Sequence, residues 1–169
     1  MTNFAVIGDP IKHTLSPNIH NHNFELNGDD HTYVALHITP EQLPNIRQTI
    51  EDKHLLGLNV TIPHKQTIMT YLDEISPEAT SIGAVNTVHV NDGRLIGYNT
   101  DVSGYKKMLL EHFDIAKDMK VLILGGGGAA KAVHYVHHQL GGTVTVAVRN
   151  VEKMKKFSEL PYEVLHFGN

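Results

Sequence analysis

Lys65 and Asp101 are the two side chains in this sequence best placed to act as an acid/base pair. Lys65 closes the run Asn59-Val60-Thr61-Ile62-Pro63-His64-Lys65, and Asp101 closes Gly97-Tyr98-Asn99-Thr100-Asp101. Thr61 adds a hydroxyl just before the lysine, and Asn86 adds an amide in Gly83-Ala84-Val85-Asn86-Thr87. Each has a plainer reading. Lys65 and His64 could be solvated residues after a proline turn, Asp101 could cap the following helix, and Ser16 before Pro17 could be an N-cap. A second chemical signal is Gly125-Gly126-Gly127-Gly128-Ala129-Ala130, in which Gly125, Gly127 and Ala130 satisfy Gly-x-Gly-x-x-Gly/Ala. Glycines there let backbone amides approach a pyrophosphate at a helix N-terminus.

The elements that must position these groups are legible from apolar pattern and turn residues. Phe4–Gly8 reads as a strand, and a helix from Ser16 carries Ile19, Phe24 and Leu26 to Asn27-Gly28. Thr32–Ile38 reads as a strand, and Pro40-Glu41 opens a helix that ends near His54. A buried strand over Leu58–Ile62 is stopped by Pro63. This β-α-β-α-β order favours a parallel sheet covered by helices. Val85–Val90 and Arg94–Tyr98, joined by Asn91-Asp92-Gly93, form a hairpin that delivers Asn86 and Asp101 at its two ends. A helix follows from Ser103 to His112. Val121–Leu124, a helix over Ala129–Leu140 and Thr143–Val148 then give the βαβ setting that the glycine motif requires. An NAD site places an acid at the end of the second strand, whereas this chain has Arg149-Asn150 and then Lys153, the pattern for the 2′-phosphate of NADP. Tyr162–Phe167 starts a third strand. One βαβ unit with such a continuation leaves apolar surface uncovered, so the chain is expected to be a C-terminally truncated piece.

Composition narrows the field. The 169 residues are 41% hydrophobic and 19% charged, as in soluble globular proteins. A net charge of −4 offers no basic field for nucleic acid. There is no cysteine, hence no disulfide or thiolate chemistry. No apolar run reaches membrane-spanning length, and the expected location is the cytoplasm. Thirteen histidines include the i, i+4 pair His134 and His138, but without a third ligand pattern no metal site is expected. Solvated surface histidines are the expectation.

Taken in order, these motifs resemble bacterial shikimate dehydrogenase, a family of NADP-dependent enzymes that reduce 3-dehydroshikimate to shikimate in aromatic amino-acid biosynthesis. The likeness covers the whole sequence, including Gly8-Asp9-Pro10 and His13-Thr14-Leu15-Ser16-Pro17. It implies that Lys65 and Asp101 are the catalytic pair. Thr14, Ser16 and Thr61 would hold the substrate carboxylate, and Asn86 and Asp101 the ring hydroxyls. Gly125, Gly126, Gly127, Gly128, Ala129, Arg149, Asn150 and Lys153 would hold NADP. Hydride reduction of a ketone leaves an alkoxide needing a proton and a nearby positive charge, which suits a lysine. Thr14 stands where the family has serine, Val102 where glycine is common after the aspartate, and Val148 where asparagine usually precedes the arginine. The family's chain also runs on past residue 169, into the rest of the cofactor sheet. The expected architecture is α/β: a substrate-binding and catalytic domain over residues 1–102 with a mostly parallel sheet, a linking helix and linker over 103–120, and an incomplete Rossmann domain over 121–169. A monomer or homodimer is expected. The alternatives are a quinate/shikimate relative with relaxed cofactor choice and a shikimate-binding module without turnover.

Overall fold

The computed structural model describes residues 2–154 and 157–168, without the side chains of Thr2 and Lys153. In chain order the elements are β1 (Thr2–Gly8), α1 (Ser16–Asn27), β2 (His31–His37), α2 (Ile46–Asp52), β3 (Leu55–Val60), β4 (Glu74–Ile75), α3 (Pro77–Ile82), β5 (Thr87–Asn91), β6 (Arg94–Tyr98), α4 (Asp101–His112), β7 (Lys120–Leu124), α5 (Gly128–Gln139), β8 (Thr143–Val148) and β9 (Glu163–His166). They fall into two compact units, Met1–Ser76 with Val85–Tyr98, and Pro77–Ala84 with Asn99–Asn169.

The first unit is built on a six-stranded sheet in the order β2-β1-β3-β5-β6-β4. β1 runs parallel to β2 and β3, while the β5–β6 hairpin enters antiparallel to β3. Apolar residues from several elements fill its core, among them Ile7, Leu43, Ile46, Leu58, Val60, Ile68, Val88 and Leu95. Some local expectations change. β3 stops at Val60, so Thr61 already lies in the turn and Ile62 is 72% exposed. The second helix is shortened because Pro44 lies in a 3₁₀ turn over Leu43–Asn45 and the α-helix begins only at Ile46. Helix α1 buries no residue, and its Ile19 and Leu26 face solvent. It is held instead by polar and ring contacts. Asn21 donates to the Tyr33 carbonyl at 2.9 Å and accepts the Tyr33 N–H at 2.8 Å, while His20 stacks on the Tyr33 ring. Those two bonds occupy backbone groups of β2, an edge strand that would otherwise leave them open.

In the second unit β7, β8 and β9 form a parallel three-stranded sheet. Its packed face clusters Ile123, Val144, Val146, Val148, Met154 and Phe157, whereas Leu122 and Leu124 on β7 are exposed. A second cluster joins Ile82 of α3, Val102 and Leu109 of α4, and Ala132 and Val136 of α5. No helix among the described residues is long and apolar enough to cross a membrane.

The histidines depart furthest from expectation. His64, His134 and His137 are buried rather than solvated. His134 gives its Nε2 proton to the Pro161 carbonyl at 3.0 Å and sits among Phe157 and Tyr162, and His137 Nε2 pairs with the Tyr105 hydroxyl at 2.8 Å. In each ring the Nε2 is partnered while the Nδ1 is buried without a hydrogen-bond partner, a cost that a neutral imidazole bears more readily than a charged one. Burial pushes both below the ordinary imidazole range, opposed at His134 by the Pro161 bond. Between the folded and unfolded values the unfolded chain holds more protons, so stability falls as pH drops below the unfolded value of about 6.5. The urea midpoint of the second unit, followed by hydrogen exchange, is therefore expected to fall between about pH 7.5 and pH 5. The double replacement of His134 and His137 by Gln should flatten that slope, and a flat wild-type profile would rule the effect out.

Candidate functional site

The end of β3 is clamped from two sides. The Val60 N–H donates to the Asn86 carbonyl at 2.8 Å, and the Thr61 N–H donates to the Ile7 carbonyl at 3.0 Å. Gly8 sits against this turn, where a Cβ would lie 2.6 Å from the Thr61 methyl and 2.9 Å from the Ile62 carbonyl oxygen. Beyond it, the His64 N–H returns to the Thr61 carbonyl at 2.9 Å, and the His64 ring donates from Nε2 to the Ile38 carbonyl at 2.6 Å. His64, one residue before the candidate lysine, is thus the anchor of the turn. The Lys65 carbonyl accepts the Val85 N–H at 2.7 Å. Backbone on both sides of Lys65 is fixed, and its half-buried side chain projects from a rigid base.

A line of polar groups runs beside this turn. Thr14 Oγ1 accepts the Ser16 N–H at 3.3 Å and donates to Ser16 Oγ at 3.1 Å. Ser16 is therefore not the N-cap. Leu15 holds that position without a side-chain bond, and Thr14 occupies the Ser16 amide of the first turn. Ser16 reaches the Tyr33 hydroxyl, which donates to Asn59 Oδ1 at 2.6 Å. Asn59 Nδ2 faces Thr87 Oγ1 at 3.2 Å, and Thr87 Oγ1 donates to Asn86 Oδ1 at 2.9 Å. Desolvation pushes the Tyr33 phenol up to about 12, against the Ser16 bond, so it stays a donor. Thr14, Ser16 and Asn86 were singled out from the sequence, whereas Tyr33, Asn59 and Thr87 were not. Their available signal was a polar atom on an otherwise buried strand face, since a buried hydroxyl or amide needs a partner.

In the second unit Asp101 is the first residue of α4, after the N-cap Thr100, which makes no side-chain cap bond. The cap role belongs to Asn99. It accepts the Asp101 N–H at 3.0 Å and donates to the Ala84 carbonyl at 2.9 Å, which fixes the backbone that carries the carboxylate. Lys65 is carried by the first unit and Asp101 by the second.

The glycine loop follows β7 directly. The Gly125 N–H donates to the Ala147 carbonyl at 2.8 Å with φ +102°, a conformation that favours glycine. Gly126 packs on Met154, where a Cβ would lie 2.5 Å from Sδ and push that side chain aside. Helix α5 starts at Gly128 without a side-chain cap, leaving backbone N–H groups at its positive end for an anion. A cleft of about 420 Å³ opens here, lined by Gly125, Gly126, Val148, Arg149, Asn150 and Phe167 among others. Arg149 is exposed beside it. The donor set fits a dinucleotide phosphate. Gly127, Gly128 and Ala129 form the N-cap and first turn of α5. The side chain of Lys153 lies outside the described residues. Among the described residues no group of three histidine or acidic side chains could hold a metal.

Residues 6–88 match the family model of the shikimate dehydrogenase substrate binding domain. The shikimate dehydrogenase (NADP(+)) of Staphylococcus epidermidis is 44% identical over 156 residues, which cover 92% of this chain and 58% of the relative. The crystal structure of shikimate dehydrogenase from Aquifex aeolicus superposes with a TM-score of 0.90 at 37% identity, covering 98% of this chain and 62% of that one. The Thermus thermophilus enzyme, in complex with NADP(H) and shikimate, superposes with a TM-score of 0.84 at 35% identity, covering 98% and 63%. The matches thus span about half to three fifths of the relatives' own length.

The close approach at Gly8 has a mechanical consequence. Gly8→Ala must displace the Thr61 methyl and the Ile62 carbonyl, and overpacking of this kind costs about 1–3 kcal/mol. The first unit's urea midpoint should fall accordingly. Gly104→Ala, at an α4 position with nothing within 4 Å of the added carbon, should instead raise the second unit's midpoint slightly. Equal behaviour of the two variants would show that the turn is not tightly packed.

Proposed function

On the premise that this chain is related to the NADP(+)-dependent shikimate dehydrogenases, we propose that it carries the substrate site and the first cofactor-binding unit of an enzyme that reversibly reduces 3-dehydroshikimate to shikimate. Residues 1–102 are the substrate-binding and catalytic domain, 103–120 the linking helix and linker, and 121–169 the first part of the NADP-binding domain. The single observation that carries this reading is the turn after β3, where Thr61 and Lys65 project from a backbone fixed by Ile7, Ile38, Val85 and Asn86. Three hydroxyls, an amide, an ammonium and a carboxylate match the chemistry of a small polyhydroxy acid. The reading takes the enzyme as cytoplasmic, in keeping with its composition, and as a monomer or homodimer.

When bound, NADPH supplies the hydride. The chain's own residues do the rest. Thr14, Ser16 and Thr61 hold the substrate carboxylate, and Asn86 and Asp101 hold ring hydroxyls. As the carbonyl oxygen gains charge, the Lys65 ammonium stabilises it and gives it a proton, and Asp101 is the second acid/base group of the reaction. The amides opening α5 take the cofactor's diphosphate, and Arg149, with Asn150 and Lys153, takes the 2′-phosphate.

Calorimetric titration of the chain with shikimate is expected to show saturable binding, lost on Asn86→Ala. A wild-type protein that binds no shikimate overturns the reading. For turnover, the chain joined to the remaining length of the Staphylococcus epidermidis relative is the test. There Lys65→Ala should lower kcat by on the order of 10²–10⁴ with a much smaller change in KM. Lys65→Arg should not restore it, because a guanidinium does not give up a proton near neutral pH. Arg149→Ala should remove about 1.5–3 kcal/mol of preference for NADP over NAD, roughly 10- to 150-fold. Equal use of both cofactors by the unaltered protein would favour a quinate/shikimate relative with relaxed cofactor choice.

A further inference from the structure

Strands β2, β1 and β3 end side by side, and the chain that leaves them carries different parts of the candidate site. Thr14 and Ser16 follow β1, while Thr61 and Lys65 follow β3. The loop after β2 supplies none of the site's side chains. Ladder pairing stops at the strand ends, so the segments beyond keep their mutual placement only through bonds of their own.

Those bonds close a ring. The Asp9 N–H, just past β1, donates to the Ile62 carbonyl in the β3 turn at 2.9 Å. The Ile38 N–H, just past β2, donates to the Gly8 carbonyl at 3.3 Å. The link from the β3 turn to the β2 loop is a side chain, with His64 Nε2 2.6 Å from the Ile38 carbonyl oxygen. A carbonyl only accepts, so that nitrogen carries a proton. The bond is buried and His64 is 1% exposed, so water does not replace a lost donor there. The surface pair of His37 Nε2 and Asp9 Oδ1, at 2.7 Å, also joins the β1 and β2 loops, but it does not reach the turn that carries Lys65.

The ring touches both parts of the site. Past Asp9 the chain is held to the core by Ile11, which clusters with Val6 and Tyr33, and the Thr14 N–H returns to the Ile11 carbonyl at 3.2 Å. On the other side Lys65 follows His64 directly, so its Cα lies about 3.8 Å from that of the anchored residue.

We propose that His64 is a positioning residue that closes this ring, its Nε2–H holding the turn of Lys65 in place against the loop of Thr14 and Ser16. What the position requires is a donor, not merely a side chain that fills the space. The consequence for ligand binding rests on the reading of Thr14, Ser16 and Thr61 as carboxylate-binding residues. The ring itself does not.

Two variants of the 169-residue chain separate the donor from its bulk. His64→Phe keeps a planar ring without the N–H, and His64→Gln offers an amide N–H at a similar reach. In His64→Phe, amide hydrogen exchange followed by NMR should quicken roughly 10-fold at Asp9 and Ile38, while the bonded amides inside β1 and β3 keep wild-type rates. His64→Gln should return Asp9 and Ile38 to within about 3-fold of wild type. Shikimate binding, measured by calorimetry, should weaken roughly 5- to 30-fold in His64→Phe and recover in His64→Gln. Exchange that quickens equally across the whole unit in His64→Phe would be global destabilisation and would overturn the proposal. So would unchanged rates at Asp9 and Ile38, or a His64→Gln protein that behaves like His64→Phe. Local quickening with full shikimate affinity would overturn the positioning role, because that pattern is purely structural. If His64→Phe does not fold, His64→Asn, too short to reach Ile38, takes its place with the same expectations. Wild type that binds no shikimate overturns the functional reading and leaves the ring to stand or fall on exchange alone.

Discussion

Two backbone hydrogen bonds carry the organisation of the first unit. The Val60 N–H reaches across to the Asn86 carbonyl, and the Val85 N–H reaches back to the Lys65 carbonyl. They cross between the same two segments in opposite directions and so fix both position and slide. Residues 59–65 cannot move without dragging 85–87. Every candidate substrate group outside the α1 entrance lies on one of these two segments or on the helix that follows the hairpin. A loop that must place a reacting group to within a fraction of an ångström needs such redundancy, since a misplacement of about 1 Å can cost two orders of magnitude in rate.

Around that clamp the protein buries polar groups that only a complete set of partners makes tolerable. His64 at 1% exposure, Tyr33 at 4% and Asn86 at 7% each find their partners within the fold. A satisfied bond adds only about 1 kcal/mol net, whereas an orphaned buried group costs about 1–3 kcal/mol, so such a network specifies one arrangement more than it stabilises the whole. This fits a site: the hydroxyl and amide directions are settled before a ligand arrives. The same logic accounts for α1. Lacking a buried apolar stripe, it is placed by Asn21 on the Tyr33 backbone and by ring stacking, and its N-terminal end brings Thr14 and Ser16 to the polar line.

The second unit solves a different problem. In the proposed reading it meets a dinucleotide, which needs close backbone approach and positive potential, and the loop offers both without a charged side chain. Gly125 adopts a conformation that favours glycine, Gly126 lies close against the Met154 side chain, and the start of α5 has no side-chain cap on its N–H groups. In the same reading Arg149, at the rim of the cleft, adds the one charge that the helix end cannot. On the far side of α5 the buried His134 and His137 pack it to its surroundings through Pro161 and Tyr105.

The sequence alone determined what depends on local chemistry. Strand and helix types, the Asp92-Gly93 hairpin, the glycine motif and the basic residue after β8 follow from period, turn residues and spacing, and the motif series carried the family likeness. The same reading offered a cap as the plainer role for Ser16, ended β3 two residues late, opened the second helix too early and set the histidines in solvent. At Ser16 the cause is local, since Thr14 two positions earlier takes the Ser16 amide, and at the end of β3 the Thr61 amide, bonded to the Ile7 carbonyl, is the last rung beside Val60. The histidine error and the missed strand positions share one cause: a residue's partner was distant in sequence. His64 looked like a turn residue because its partner, the Ile38 carbonyl, lies 26 positions away. Asn59 and Thr87 looked like ordinary strand positions because they meet only when β3 pairs with β5. A side chain's type and neighbours are written in the chain, but the donor or acceptor it must satisfy exists only once the sheet has formed, and that pairing alone decided which way each polar group of the site points.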